Sequence, residues 1–271
     1  EVLDLSPVRK EIFKNANAPA VILTYKKSMR KLDDVLKNEF THISLKPNIY
    51  FELFDILAIE KNDVKYIKQD LLYRNDWAWK VLLYGSSWDL DICIKLRNNF
   101  NTIEEIINEK NCTRDVDKII WGTGIQLGTG VDSTMYMGRP LIDSKRGVSK
   151  FIVNIEKSKP FDKKSVHRIR NPKIFEAPYC LIKKGIDMKT YELKAVYSEQ
   201  NFLFQEAIRA IKGEEKDKTF LKSITGIFNS SLSAYINTIL GSSVGIEREQ
   251  AFFEEVLRFP FFNNEKAVNE V

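Results

Sequence analysis

The sequence predicts an α+β protein, with a mixed β-rich lobe set between a helical spacer and a C-terminal helical subdomain. Three observations predict it. Over residues 119–212, Gly122, Gly124, Gly128, Gly130, Gly138 and Gly147 punctuate segments whose apolar residues alternate, the pattern of half-buried strands and turns. Over residues 213–271, Phe220, Ile224, Ile227, Phe228, Leu232, Tyr235, Ile236, Ile239 and Leu240 recur at spacings of three and four, as on one broad helix face. Residues 29–118 are charged, with helix-like spacing at Met29–Phe40 and Thr102–Glu109.

The elements follow in order. In residues 1–28, VRKEIF has a helical pattern, Asn17-Ala18-Pro19 breaks it, and Ala20–Tyr25 is a continuous apolar run that predicts a buried strand. The spacer of residues 29–118 holds Trp77, Trp79 and Trp88 between Asn75 and Leu96, and such density predicts core packing. In the β-rich lobe, residues 119–212, Tyr179–Ile182 and Tyr191–Tyr197 read as an antiparallel pair. Tyr191, Leu193, Ala195 and Tyr197 would share one face of the second strand. In residues 213–271 a single long helix, Phe220–Leu240, is expected to stop at Gly241, and a second to run over Glu249–Leu257.

With 271 residues, 44% hydrophobic and 11% aromatic, the chain can bury one large or two small cores. It has no run of about 18 apolar residues, so a membrane span is not expected, and the opening EVLDLSPVRKEIF lacks the order of a signal peptide. The first residue is Glu1, and the opening already has a folded-interior pattern, so the chain is expected to be an excised piece of a longer protein. Three cysteines (Cys93, Cys112, Cys180) and two histidines predict neither a disulfide framework nor a Cys/His zinc site, and a reducing cytoplasm fits.

Charge is unevenly placed. From Arg139 to Lys189 there are 14 basic residues against 5 acidic ones, while the rest of the chain has 28 against 32. Such a local excess is the electrostatic footprint of a polyanion binder, though a lysine-rich solvated surface has the same composition. Within it lies KKSVHRIRNPK, residues 163–173, where His167 stands among Lys163, Lys164, Arg168, Arg170 and Lys173. In an extended segment Arg168 and Arg170 point the same way, toward one phosphate strand or groove.

Two other motifs compete. WGTGIQLGTG (Trp121–Gly130) has a Gly-x-Gly, which cradles phosphate only where it joins a strand to a helix. The following VDSTMYMGRPLID has no helical period, so a tight turn in a β-rich domain is the better reading. Glycine there would also let backbone approach DNA closely. Asp187, Glu192 and Lys194 resemble the acidic-x-lysine set of magnesium-dependent nucleases, in which two carboxylates hold the metal beside the lysine. That reading, a free-standing nuclease, stays open here as an alternative.

Several segments together resemble one family. DLSPVRKEIFKNANAPAVILTYKK (Asp4–Lys27), KVLLYGSSWDLDICIKL (Lys80–Leu96), IIWGTGIQLG (Ile119–Gly128), MGRPLID (Met137–Asp143), IFEAPYCLIKKGI (Ile174–Ile186), SITGIFNSSLSAYINTILGSSVGIEREQ (Ser223–Gln250) and EEVLRFPF (Glu254–Phe261) occur in order. They are similar to the C-terminal region of N6-adenine DNA methyltransferases of restriction–modification systems. These include Type IIG enzymes with TaqI-type target-recognition domains. The family's Phe-x-Gly-x-Gly methyl-donor loop and its Asn-Pro-Pro-aromatic motif do not occur in this chain; Asn171-Pro172-Lys173 lacks the second proline and the aromatic.

The resemblance implies a division of labour. Residues 1–28 would end a catalytic domain whose larger part is an N-terminal partner. That parent would use S-adenosylmethionine to methylate adenine, and no cofactor is expected in this chain itself. The lobe of residues 119–212 would recognise the target in double-stranded DNA, and Glu254–Phe261 would be an exit strand. Lys163, Lys164, Lys173, Lys183, Lys184, Lys145, Arg146 and Arg139 would meet phosphates. Gln126, Arg168, Arg170 and Asn171 would read base edges, arginine pairing with guanine and the amides with adenine.

Overall fold

The computed structural model describes residues 1–13, 15, 18–143, 145–187, 189–244 and 250–262, and within them the chain folds as α+β. It forms two compact units, Glu1–Lys95 with Thr238–Arg248, and Leu96–Asn237 with Glu249–Val271. This is a division into two units, beside the four segments bounded after residues 28, 118 and 212 that the sequence suggests. Strand pairing joins the opening to the stretch expected to be a helical spacer: the first strand, Val2–Asp4, pairs with Glu39–Ser44 on one side and with Val21–Leu23 on the other.

The first unit is built on β1 (Val2–Asp4), β2 (Val21–Leu23), β3 (Glu39–Ser44) and β4 (Val64–Lys68), in the order β2-β1-β3-β4. Strand β1 runs parallel to β3 and antiparallel to β2, and β3 and β4 are antiparallel. The apolar run at Val21–Leu23 is a strand as expected, but an edge strand. All three side chains are exposed, by 46, 54 and 63%, because no described element covers them.

Six short helices accompany this sheet: α1 (Arg9–Ile12), α2 (Leu32–Leu36), α3 (Ile49–Phe54), α4 (Gln69–Arg74), α5 (Ala78–Tyr84) and α6 (Ser87–Asn99), the unit division falling within the last. The helix expected over Met29–Phe40 stops at Leu36, and Phe40 belongs to β3. There its ring lies against Leu72, Ala78 and Leu82. Trp77 packs on this same cluster, whereas Trp88 is 78% exposed. Helix α6 is polar on most of its surface and buries only Cys93, so the tryptophan cluster is not one core. Asn17 and Glu249, which begin two expected features, lie outside the described residues.

In the second unit Thr102 starts α7 (Ile103–Cys112). The Thr102 hydroxyl accepts from the Glu105 N–H at 3.2 Å, and the Glu105 carboxylate accepts from the Thr102 N–H at 2.6 Å. This reciprocal cap satisfies two otherwise orphaned donors. Among the described residues eleven strands follow: β5 (Ile120–Thr123), β6 (Gln126–Asp132), β7 (Pro140–Ile142), β8 (Val148–Ser149), β9 (Ile152–Val153) and β10 (Lys159–Pro160). The rest are β11 (Ser165–Arg168), β12 (Tyr179–Lys183), β13 (Ala195–Ser198), β14 (Leu203–Phe204) and β15 (Ile208–Lys212). They make an antiparallel sheet β13-β12-β15-β5, a small sheet β10-β7-β14, a hairpin β8-β9 and a ribbon β6-β11.

Strand β12 alternates between two buried layers. Tyr179 and Leu181 join a core with Ile125, Val166, Phe175, Phe204, Ile208 and Ala210. On the other side α8 (Lys218–Phe228) packs over β12 and β13, where the Thr225 hydroxyl donates to the Cys180 thiol at 3.1 Å. Burial pushes that thiol up to about 12. The expected antiparallel pair exists, Tyr179 lying opposite Ser198, but its second strand begins only at Ala195. The Lys194 carbonyl still accepts from the Lys183 N–H at 2.9 Å, and before it the chain turns about Asp187, whose carboxylate accepts from the Lys189 N–H and pairs with Lys194. Tyr191 has φ +56°, so the expected face of Tyr191, Leu193, Ala195 and Tyr197 is interrupted.

The single helix expected over Phe220–Leu240 is two: α8, and α9 (Ser231–Leu240). Asn229 separates them. Its side-chain amide oxygen accepts from the Ala195 N–H at 2.9 Å and its nitrogen donates to the Ala195 carbonyl at 2.8 Å, both buried. A tertiary contact thus ends a helix that periodicity alone would continue. Over Glu254–Phe261, where the family resemblance implies a strand, α10 (Phe253–Leu257) forms instead, followed by a β-bridge from Pro260 to Thr102. The apolar residues Phe253, Val256 and Leu257 at spacings of three and four are all buried, which is helical periodicity. No described helix is long and apolar enough to cross a membrane.

Candidate nucleic-acid interface

The basic run 163–173 has a definite scaffold. Ser133 is fully buried; its N–H donates to the Lys164 carbonyl at 2.9 Å and its hydroxyl to the Lys163 carbonyl at 2.8 Å. The backbone entering β11 is fixed while the two ammonium groups stay exposed. Val166 then points into the core, and Ile169 packs against it. Between and beyond these anchors His167, Arg168, Arg170 and Lys173 are exposed. Ile169 between Arg168 and Arg170 is half-buried against the core, while both arginines are exposed.

The partner strand is bare. Every residue of β6 from Leu127 to Asp132 is exposed. Pairing runs Ser165 with Asp132, Val166 with Val131, then Arg168 with Gln126, so four residues, Leu127–Gly130, bulge opposite His167 alone. Gly128 and Gly130 make this possible, with φ +142° and +141°, a region open essentially to glycine. A Cβ on Gly128 would also come within 2.9 Å of the His167 Cβ. Bulges of this kind twist a ribbon and re-aim its side chains.

Gly124 answers the other glycine motif. A Cβ there would lie 2.1 Å from the Phe204 carbonyl oxygen, so the glycine is required by close backbone packing. It connects β5 to β6, two strands, and the strand-to-helix context that a phosphate-cradling loop needs is absent from it.

The base-reading candidates have informative partners. Arg168 Nη2 donates to Gln126 Oε1 at 3.0 Å, across directly paired positions. Asn171 caps the short 3₁₀ turn Pro172–Phe175, its side-chain oxygen accepting from the Lys173 N–H at 3.0 Å. The first contact was not legible from sequence spacing, because it joins residues 42 positions apart.

The remaining cations lie elsewhere in the lobe. Arg139 sits over the Tyr136 ring, 5.5 Å from its centroid. Lys145 and Arg146 are exposed in a turn whose N–H groups both donate to Asp143 Oδ1 at 2.7 Å, and these contacts hold the Asp143 carboxyl below its ordinary value. Lys183 Nζ donates to the Lys145 carbonyl at 2.7 Å; burial, then the nearby Lys194, lower its pKa. Lys184 is half-buried, with its N–H on the Ala207 carbonyl and its own carbonyl accepting from Ala251. Lys183 is thus committed to holding a turn, while Lys145 and Arg146 remain open to an anion.

The Asp187 and Glu192 carboxylates are each already engaged by an ammonium group. Lys194 pairs with Asp187 at 2.9 Å, and Lys150, which sequence reasoning did not single out, pairs with Glu192 at 2.7 Å. The Lys194 contact, with backbone donors, pulls the Asp187 carboxyl down to about 2. A metal ion would have to displace an ammonium from each carboxylate. Among the described residues no group of three or more His, Cys, Asp or Glu side chains is placed to hold a metal.

No family model matches the chain, and no curated protein matches it.

Proposed function

We propose that this chain binds double-stranded DNA through the β6–β11 ribbon, as the target-recognition part of an S-adenosylmethionine-dependent adenine-N6 DNA methyltransferase. The observation that carries the DNA-binding part is the ribbon itself. Lys163–Lys173 has five lysines and arginines and no acidic residue, all five exposed on a core-anchored edge, beside a strand whose outer residues are bare. A two-stranded ribbon fits the major groove, about 12 Å wide. The methyltransferase part is supported by the ordered resemblance of the segments quoted above. In this reading a partner methyltransferase domain binds the methyl donor and the flipped adenine. Flipping costs a few kcal/mol, and the present chain supplies the grip on the distorted duplex.

Contacts to about six phosphates, by Lys163, Lys164, Arg170, Lys173, Lys145 and Arg146, should give log K falling against log salt with a slope near −5. Fluorescence anisotropy of a labelled duplex across a salt series measures it. A flat titration would remove the basic run as the footprint.

A further inference from the structure

We propose that the tip of the β8–β9 hairpin, Phe151 with Ile152, is an apolar wedge that inserts at a base step of the bound duplex and partly unstacks it. This rests on the DNA-binding reading above and deepens it. Strands β8 and β9 pair Val148 with Val153 and Ser149 with Ile152, so Lys150 and Phe151 form the two-residue turn between them. Phe151 has φ +61°. Turn positions with positive φ ordinarily hold glycine or asparagine, and for a bulky side chain that backbone is unfavourable. The surrounding fold imposes it. The Phe151 N–H donates to the Ala195 carbonyl at 2.9 Å, and Val148 and Val153 seat the hairpin on the core that also holds Val166 of β11. Packing does not explain the ring, since Phe151 is 50% and Ile152 58% exposed. A large apolar side chain held in water on a strained backbone contributes little to folding, which points to a role in binding.

The surroundings of the tip are cationic. From Asp143 to Pro160 there are five lysines and arginines against two acidic residues, and Lys145, Arg146, Lys157 and Lys159 are exposed. The Lys145–Arg146 turn is fastened to the hairpin stem: the Asn154 side chain donates to the Arg146 carbonyl at 2.9 Å, and the Asn154 N–H to the Gly147 carbonyl at 2.9 Å. Nearby carboxylates are neutralised in place, Glu192 by Lys150 and Asp187 by Lys194. Next to Glu192 stands Tyr191, a second exposed aromatic residue with positive φ. An apolar point flanked by cations matches what a duplex offers, phosphates outside and base faces within. Proteins that kink DNA insert phenylalanine, leucine, isoleucine or methionine between base steps in this way, and pyrimidine–purine steps such as TA yield most easily.

Permanganate, which oxidises unstacked thymines, and end-to-end fluorescence energy transfer test this on a duplex of about 20–30 base pairs with a central TA step. The full chain at low salt should make the central thymines reactive and bend the duplex by about 20–90°. Glycine relieves the backbone at position 151, so Phe151→Gly combined with Ile152→Thr should fold. The double variant should keep the salt-dependent binding that phosphates supply, yet lose both the bend and the thymine reactivity, whereas Phe151→Leu should retain both. A bound duplex that stays straight with unreactive thymines overturns the inference and leaves the DNA-binding reading intact. Bend and reactivity that persist in the double variant also overturn it. Capture of wild type but not of the double variant by phosphatidylserine vesicles, with bound duplex left straight, assigns the tip to a lipid surface and overturns it as well. Absence of any duplex binding at low salt overturns both readings.

Discussion

Replacing Lys163, Lys164, Arg170 and Lys173 together by alanine should weaken duplex binding about a thousandfold near 0.1 M salt and flatten the salt slope by about 3 to 4. Each phosphate contact releases roughly one counterion, so the loss is entropic and grows as salt is lowered. All four side chains are exposed, and the strand they flank is held by Val166, Ile169 and Ser133, which the variant keeps. Its thermal stability should therefore stay close to wild type, as for exposed substitutions generally. The salt-series anisotropy measurement separates loss of phosphate contacts from misfolding. A slope unchanged in the variant would place the phosphate contacts elsewhere.

Asp217→Asn should destabilise the second unit by about 3–5 kcal/mol, the cost of leaving one partner of a buried ion pair uncompensated. Arg114 reaches Asp217 with two N–H donors, at 2.7 and 2.9 Å, and the side chains are 10% and 0% exposed. This pair ties the end of α7 to the turn before α8. Asp217 also accepts from the Glu214 N–H at 2.9 Å. Burial alone would raise its carboxyl, but the Arg114 donors and that N–H outweigh it and hold it below its ordinary value. The sign follows from a folded pKa below the unfolded one. The stabilisation is full above the ordinary aspartate value and is lost as pH falls through the lowered one. Denaturant melts of wild type and variant should thus differ most near neutral pH and converge on acidification. An equal gap at all pH values would show that shape, and not charge, sets the contribution.

Local signals in the sequence are legible where local chemistry decides. Thr102 and Glu105 stand three residues apart and cap α7 as such a pair should. The run 163–173 is exposed because its cations cannot be buried unpaired, and Val166 and Ile169 give it two inward anchors. Features set by tertiary contacts were not legible. Nothing at Asn229 shows that its amide will bind Ala195, 34 residues away, and so split a helix with unbroken periodicity. Val21–Leu23 has the composition of a buried strand, and only the sheet order places it at an edge. For the site, the cations could be found from charge, but the Gln126–Arg168 pair depends on a register that a four-residue bulge sets. Paired glycines at 128 and 130, alternating within an extended segment, were the one sequence trace of that bulge.

In the proposed complex the β6–β11 ribbon enters the groove of a duplex. A photo-crosslinking benzoylphenylalanine at Thr129, at the exposed bulge, tests it most directly. Crosslinks should form to bases on their major-groove edges and be suppressed by added salt in step with binding. Crosslinks confined to the minor groove, or none while the duplex is fully bound, would contradict it.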